Sequence, residues 1–282
     1  MIEPLIKWTG SKRSQASEII SHFPKKIGTY YEPFCGGCSV AFMLMTKNLT
    51  DLMVHRFVLS DANESLVQIL NIVRENPDSL VAYYTMMWEA LKKIDGIEGK
   101  KEFYEKLRDK YNEGKDPYDF MVIDRLCYNG MIRFNSKGEF NSPFHLNRDG
   151  IRPDKFAKIV KLWHDLFDTH RNRLEIMCQD YSSIQPSEND FVYMDPPYAN
   201  SKTLYNGGFD SARFFDFVRN QKCQYALSYD GISGETDSTV DIPKDLYTTH
   251  LYITSGNSSF KRIKKIDSGA IVKESLYIKS FE

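Results

Sequence analysis

Seven short runs rich in apolar and aromatic residues punctuate the chain: "YYEPF" (30–34), "RFVLSD" (56–61), "LEIMCQD" (174–180), "FVYMD" (191–195), "QYALSYD" (224–230), "THLYITS" (249–255) and "SLYIKS" (275–280). Runs of this length with little alternation fit strands covered on both faces. Helical spacing separates several of them, as in "SVAFMLM" (39–45) and "SARFFDFVRNQ" (211–221). Strands alternating with helices predict an α/β sheet. Between the second and third runs lies a long interval with the period of amphipathic helices: "SLVQILNIVREN", "KKEFYEKLRDKYN" and "PYDFMVIDRLCYNG". It is too long for a single crossover and predicts an inserted domain over 66–155, leaving 1–65 and 156–282 to build the sheet domain. The end of the interval changes period. "MIRFNSKGEFNSPF" alternates residue by residue around Gly138, which can take the positive φ of a tight hairpin. Alternation puts Met131, Arg133 and Asn135 on one face, and Ile132 and Phe134 on the other.

"DFVYMDPPYAN" (190–200) is the most specific stretch. Its buried run ends on Asp195, at the carboxyl edge where open α/β sheets bind ligands, and the prolines 196 and 197 cannot extend a ladder. The loop can therefore hold one carboxylate and the ring of Tyr198 in place. "EPFCGGCSV" (32–40) ends another strand in Gly36 and Gly37 before a helical run, which suits a loop whose backbone approaches a ligand or a plain turn. It has neither a full G-x-G-x-x-G nor a Walker A pattern, which disfavours a pyrophosphate or triphosphate. Cys35 and Cys38 lack a second cysteine or histidine pair at finger-like spacing, so no metal site is expected. Asp61 closes the next strand, placed either to accept ribose hydroxyls or to cap the following helix. "KWTGSKRS" (7–14) offers Trp8, Lys12 and Arg13 around an anionic group, or a solvated charge cluster.

Composition changes this picture little. A net charge of -1 with 27% charged residues names no acidic partner for the whole chain. The longest apolar runs are too short to span a bilayer, and the five cysteines suit reduced thiols, so a cytoplasmic location without membrane contact is expected. Locally, cations crowd the end of the insertion: Arg125, Arg133, Lys137, Arg148, Arg152, Lys155, Lys158 and Lys161 against Glu139, Asp149 and Asp154. "FKRIKK" (260–265) adds a second patch. Phosphate contacts would use such patches, although a solvated helix face explains Lys155, Lys158 and Lys161 equally well.

"KWTGSK", "EPFCGG", "SDAN", "YNGMIRFNSKGEFNSPF" and "DPPY", in this order, resemble the motifs of the Dam family (D12 class, alpha group) of adenine-N6 DNA methyltransferases, with weaker likeness in "SSFKR" and "ESLYI". The resemblance implies a Rossmann-like class I methyltransferase sheet of about seven strands, interrupted by a mainly helical recognition domain that carries the hairpin. It implies S-adenosylmethionine as methyl donor, which fits a glycine loop without a phosphate cradle. Trp8 and Lys12 would border the cofactor's amino acid end. Phe34, Gly36, Gly37 and Asp61 would hold its adenosine, Asp180 its adenine amino group, and Asp195 would border it. Asp195 and the Pro196 carbonyl would accept the two hydrogens of the target amino group, and Tyr198 would stack on a flipped base. Arg133 would read a guanine in double-stranded DNA, Met131 and Pro143 would pack on a thymine, Asn135 would share the hairpin's outward face, and Lys7 would reach the guanine before the target adenine. A GA-containing site, GATC foremost, and a monomer are the expectation. "HLNRDG" (145–150) departs from the family after "NSPF", and the stretch over 229–248 is longer than expected. The rivals are a cytosine-N4 methyltransferase of the same fold and a catalytically silent DNA-binding relative.

Overall fold

The computed structural model describes residues 3–8, 10–48, 51–197, 209–233, 236–255 and 272–281. Each of the seven apolar runs lies on a strand: β1 (Lys26–Glu32), β2 (Met53–Asp61), β3 (Leu174–Cys178), β4 (Phe191–Met194), β5 (Gln224–Ser233), β7 (Thr249–Ser255) and β8 (Val272–Lys279). A two-residue strand, β6 (Thr236–Asp237), pairs with the end of β5 inside the 229–248 stretch and was not legible in the pattern. The sheet order is β3-β2-β1-β4-β5-β8-β7. β1 to β5 pair in parallel, and β8 runs antiparallel to both β5 and β7. This is the Rossmann-like α/β sheet that the strand pattern predicts. Strand order reverses between β1 and β4, and a crevice outside the carboxyl ends of strands is expected at such a reversal.

Burial explains the sequence pattern. All four residues of β4 are buried, and Phe23 packs its ring 4.5 Å from that of Phe191. Helices α1 (Ala16–Ser21) and α2 (Ser39–Lys47) belong to this sheet unit, as does α8 (Ser211–Arg219), whose Phe214 and Val218 are buried. Gly28 is forced by a close approach: a Cβ there would lie 2.8 Å from the Asp190 carboxylate, which accepts the Thr29 N–H at 2.6 Å.

The described residues of Met1–Ser11 and Asn63–Asn172 form a second compact unit, distinct from Lys12–Ala62 and Arg173 onward. It contains α3 (Glu64–Glu75), α4 (Pro77–Lys92), α5 (Ile97–Gly114), α6 (Pro117–Leu126) and α7 (Pro153–Thr169). The helical unit thus runs past position 155, where the pattern had ended the insertion, and takes in the N-terminal segment. The reason is packing: α7 buries Phe156, Ile159, Val160, Trp163 and Phe167 along one face against α3 and α4, and Trp163 Nε1 donates to the Glu3 carbonyl. Caps match the local chemistry. Asn63 accepts the Leu66 N–H at the start of α3, and Asp116 accepts the Tyr118 N–H ahead of Pro117 in α6. No helix among the described residues is long and apolar enough to cross a membrane.

Candidate active site

The loop after β1 folds as a tight turn. Gly36 has φ +47° and Cys38 φ +51°, and the Cys38 N–H donates to the Cys35 carbonyl at 2.6 Å before α2 begins. The Gly36 N–H donates to Asp61 Oδ2 at 2.9 Å, and Cys35 N–H to the Ser60 carbonyl, so the end of β2 sets the shape of the loop. Asp61 therefore braces the glycine loop. The helix cap comes from Asn63 instead, so that reading of Asp61 does not hold. Cys35 and Cys38 are buried, and the hydrogen bond to Cys38 together with burial pushes the Cys35 thiol well up.

Asp195 follows β4, on the other side of the strand-order reversal. Its Oδ2 accepts a hydrogen bond from Lys12 Nζ at 2.7 Å, and the same ammonium lies 3.4 Å from Glu274 Oε2 on β8. The Lys12 side chain is 4% exposed, against 20% for Asp195 and 22% for Glu274. Burial works against the Lys12 charge, but the two carboxylates outweigh it and raise its pKa. Glu32, the last residue of β1, accepts from the Tyr30 hydroxyl at 2.6 Å in a fully buried setting. Burial lifts its carboxyl to about 8 against the pull of that hydroxyl, and the Asp195 charge adds to the rise. Glu32 and Glu274 were both missed in the sequence. The signal for Glu32 was a carboxylate inside an otherwise apolar run beside the glycine loop, whereas Glu274 carries none until β8 is placed next to β5.

Beside the glycine loop, Phe34 stacks on Tyr181 with centroids 5.2 Å apart. Arg213 lies over the Tyr181 ring and donates to Asp180 Oδ1 at 2.8 Å. Among the described residues, the hydrogen bonds to the Asp180 carboxylate all go to Oδ1, from the Ser182 N–H, the Ser182 hydroxyl and Arg213, which leaves Oδ2 for another donor. Tyr181 and Arg213 were likewise missed. Tyr198 and "FKRIKK" lie outside the described residues.

In the helical unit, Trp8 accepts the Ser11 N–H on its carbonyl, and the Lys7 N–H donates to Asp124 Oδ2 at 3.1 Å. The Lys7 stem lies on Gly130, where a Cβ would come 2.5 Å from Lys7 Cδ; with φ +64° as well, that position requires glycine. The expected hairpin is held by two isolated bridges, Phe134 to Phe140 and Cys127 to Phe144, rather than by a ladder. Ile132 is buried and Phe134 meets Phe140 edge-on, while Met131 and Arg133 stay partly exposed and Pro143 exposed. Arg133 Nε donates to Asn141 Oδ1 at 2.8 Å, which orients the guanidinium. Asn135 is committed to the turn: its Oδ1 accepts the Lys137 and Glu139 N–H groups and its Nδ2 donates to Glu139. One cation of the basic patch is corrected outright. Arg125 is 4% exposed and donates to the Pro4 and Leu5 carbonyls, so it staples the N-terminal segment and faces no solvent. Lys155 pairs with Glu3 and Lys161 with Asp165, as a solvated helix face would. Among the described residues, Lys137, Arg148 and Lys158 have no acidic partner.

The model of the D12 class N6 adenine-specific DNA methyltransferases matches residues 8–256. The chain belongs to that family. It is 30% identical over 245 residues to the Type II methyltransferase M.MjaIII of Methanocaldococcus jannaschii, covering 81% of this chain and 79% of that one. It is 29% identical over 234 residues to the DNA adenine methylase of Escherichia coli K12, covering 80% and 75%, and 27% identical over 244 residues to the Type II methyltransferase M1.LlaDCHI of Lactococcus lactis, covering 82% and 79%. The family is one of adenine-specific enzymes, which leaves the cytosine-N4 reading without support.

Proposed function

We propose that this D12-class chain transfers a methyl group from S-adenosylmethionine to the N6 amino group of an adenine flipped out of double-stranded DNA, in a short site containing GA, with GATC foremost. The observation that carries the reading is the Asp195 carboxylate, set at the carboxyl end of β4 beside the reversal of strand order and gripped through one oxygen by a buried lysine.

The residues fit the cofactor. The glycine loop lets the backbone come close without a phosphate cradle, Asp61 closes β2 beside it to meet the ribose hydroxyls, and the partly buried Phe34 ring, backed by the buried Tyr181, offers an apolar wall for a nucleoside. Asp180 Oδ2 can accept an adenine amino hydrogen. When bound, S-adenosylmethionine supplies an electrophilic methyl group on a positively charged sulfur. The lone pair of the adenine amino nitrogen is delocalised into the ring. Asp195 Oδ1 and the Pro196 carbonyl each accept one of its hydrogens, which localises the lone pair and aims it. Asp195 then takes the proton that leaves the nitrogen. The catalysis is positioning and electrostatics, with no covalent enzyme intermediate. Tyr198 stacks on the extruded base. In the helical unit, Arg133 reads guanine while Met131 and Pro143 pack on a thymine and Lys7 contacts the guanine before the target; Asn135 serves by fixing the turn that presents Arg133. Tritium transfer from labelled cofactor to duplex oligonucleotides with and without GATC tests the reading. Label in the N6 position of adenine is expected, and label in cytosine or in protein would overturn it.

A further inference from the structure

Arg213 ties together two elements beside the glycine loop. Asp210 caps α8 by accepting the Arg213 N–H at 3.0 Å, which fixes where this side chain leaves the helix. Arg213 Nη2 then donates to Asp180 Oδ1 at 2.8 Å and to Ser182 Oγ at 2.9 Å, while the guanidinium lies 5.2 Å from the centre of the Tyr181 ring. A planar guanidinium that bridges two oxygens and rests on a ring holds its partners in one orientation, which a compact ammonium does not. The pair does little for stability: the Asp180 side chain is 44% exposed and that of Arg213 56%, and ion pairs so open to water contribute little. Its effect is on geometry. Arg213, the Ser182 N–H and the Ser182 hydroxyl all gather on Oδ1, and Oδ2 keeps its lone pairs for a ligand. The same guanidinium steadies Tyr181, the ring that backs Phe34.

We propose that Arg213 is a positioning residue for the adenine of the cofactor: it locks Asp180 Oδ1 and the Tyr181 ring so that Oδ2 meets the exocyclic amino group, and it thereby makes the site selective for adenine over a purine that carries an oxygen there. This rests on the methyltransferase reading above, in which Asp180 Oδ2 accepts that amino hydrogen. The amino group donates, so its partner must accept, and an ionised carboxylate does nothing else. Burial works against ionisation of Asp180, but hydrogen bonds from Ser182 and the charge of Arg213 outweigh it and hold the carboxyl below the usual carboxylate range. Asp180 is therefore an acceptor throughout the neutral range. A hypoxanthine carbonyl in the same place would set oxygen against oxygen and leave both without a donor.

The test uses the full chain and reads binding, independently of turnover. The probes are S-adenosylhomocysteine and S-inosylhomocysteine, whose purines differ by that amino group against a carbonyl. Calorimetry is expected to show the wild type favouring the adenosyl form by at least about tenfold. Arg213→Ala is expected to cut that preference to within about threefold by weakening the adenosyl form alone, and Arg213→Lys, which keeps the charge without the fork, to retain only part of it. In an Asp180→Ala background the effect of Arg213→Ala on the preference should vanish, because the residue acts through that carboxylate. A wild-type preference in Arg213→Ala, or an equal loss for both ligands, overturns the positioning role. If Asp180→Ala itself keeps the wild-type preference, Asp180 does not meet the adenine, and that part of the cofactor reading falls together with the proposal. Binding of neither ligand by the wild-type chain would sink the cofactor assignment as a whole.

Discussion

Two clusters of buried charge, one in each unit, do different work. In the helical unit, Asp124 and Arg125 are adjacent in α6 and almost fully buried, and their hydrogen bonds go to main-chain groups: Asp124 accepts the Lys7 N–H, and Arg125 donates to the Pro4 and Leu5 carbonyls. Their charges cancel and their partners are backbone, so the cluster fixes the path of the N-terminal segment. In the sheet unit, Lys12 binds Asp195 and Glu274 through side chains, and both acids are about one-fifth exposed. Buried charge directed at the main chain fixes the fold, whereas the sheet unit's charges are paired to one another at the end of β4.

That contrast can be broken by experiment. Asp195→Ala is expected to lower methyl transfer by at least about hundredfold with little change in the thermal midpoint, since it removes the acceptor for the target amino group. Activity within a few-fold of wild type under saturating cofactor would place the sheet-unit cluster with the structural kind. Arg125→Ala should do the reverse. It leaves Asp124 buried without its neighbour's charge, at a cost of about 3–5 kcal/mol in urea unfolding. A small stability change with lost activity would show that this arginine faces substrate after all.

The hairpin sharpens the comparison, because Arg133 is a cation half tied and half presented. Arg133→Ala is expected to cost about 1–3 kcal/mol on the cognate duplex and to relax discrimination at a single base pair. A uniform loss on all duplexes, with a shallower salt dependence, would mark it as a phosphate contact. A further effect is on pH dependence. Glu32 has its folded pKa raised to about 8 from an ordinary value of 4.5, so the folded protein holds this proton more tightly than the unfolded chain. Stability from this group is full below the ordinary value and declines as pH rises through that window, by no more than about 1.4 kcal/mol per pH unit. Glu32→Gln should flatten that slope, and an unchanged slope would mean the carboxyl titrates normally.

Several parts of the molecule were readable in one dimension because they depend on neighbours in the chain. The buried strand ending in Asp195, the glycine turn after β1 and the Gly138 turn follow from local hydrophobicity and local backbone freedom. The length of the insertion was less legible: α7 looks like the start of the sheet domain until its five buried residues find α3 and α4. Arg125 illustrates the same limit. In a string it sits at the head of a run of cations, and only packing shows that one of its guanidinium nitrogens is tied to the Pro4 and Leu5 carbonyls.

The sequence by itself determined the α/β class, the order of strands and helices, the carboxylate and prolines at the end of β4, and the family these motifs resemble, because each is written in residues close to one another in the chain. Tertiary structure alone decided which charges meet. Lys12 and Glu274 lie at opposite ends of the sequence and join Asp195 only because β4 sits next to β5, β8 closes against β5 at Gly231, and burial makes an unpaired ammonium too costly to leave between them.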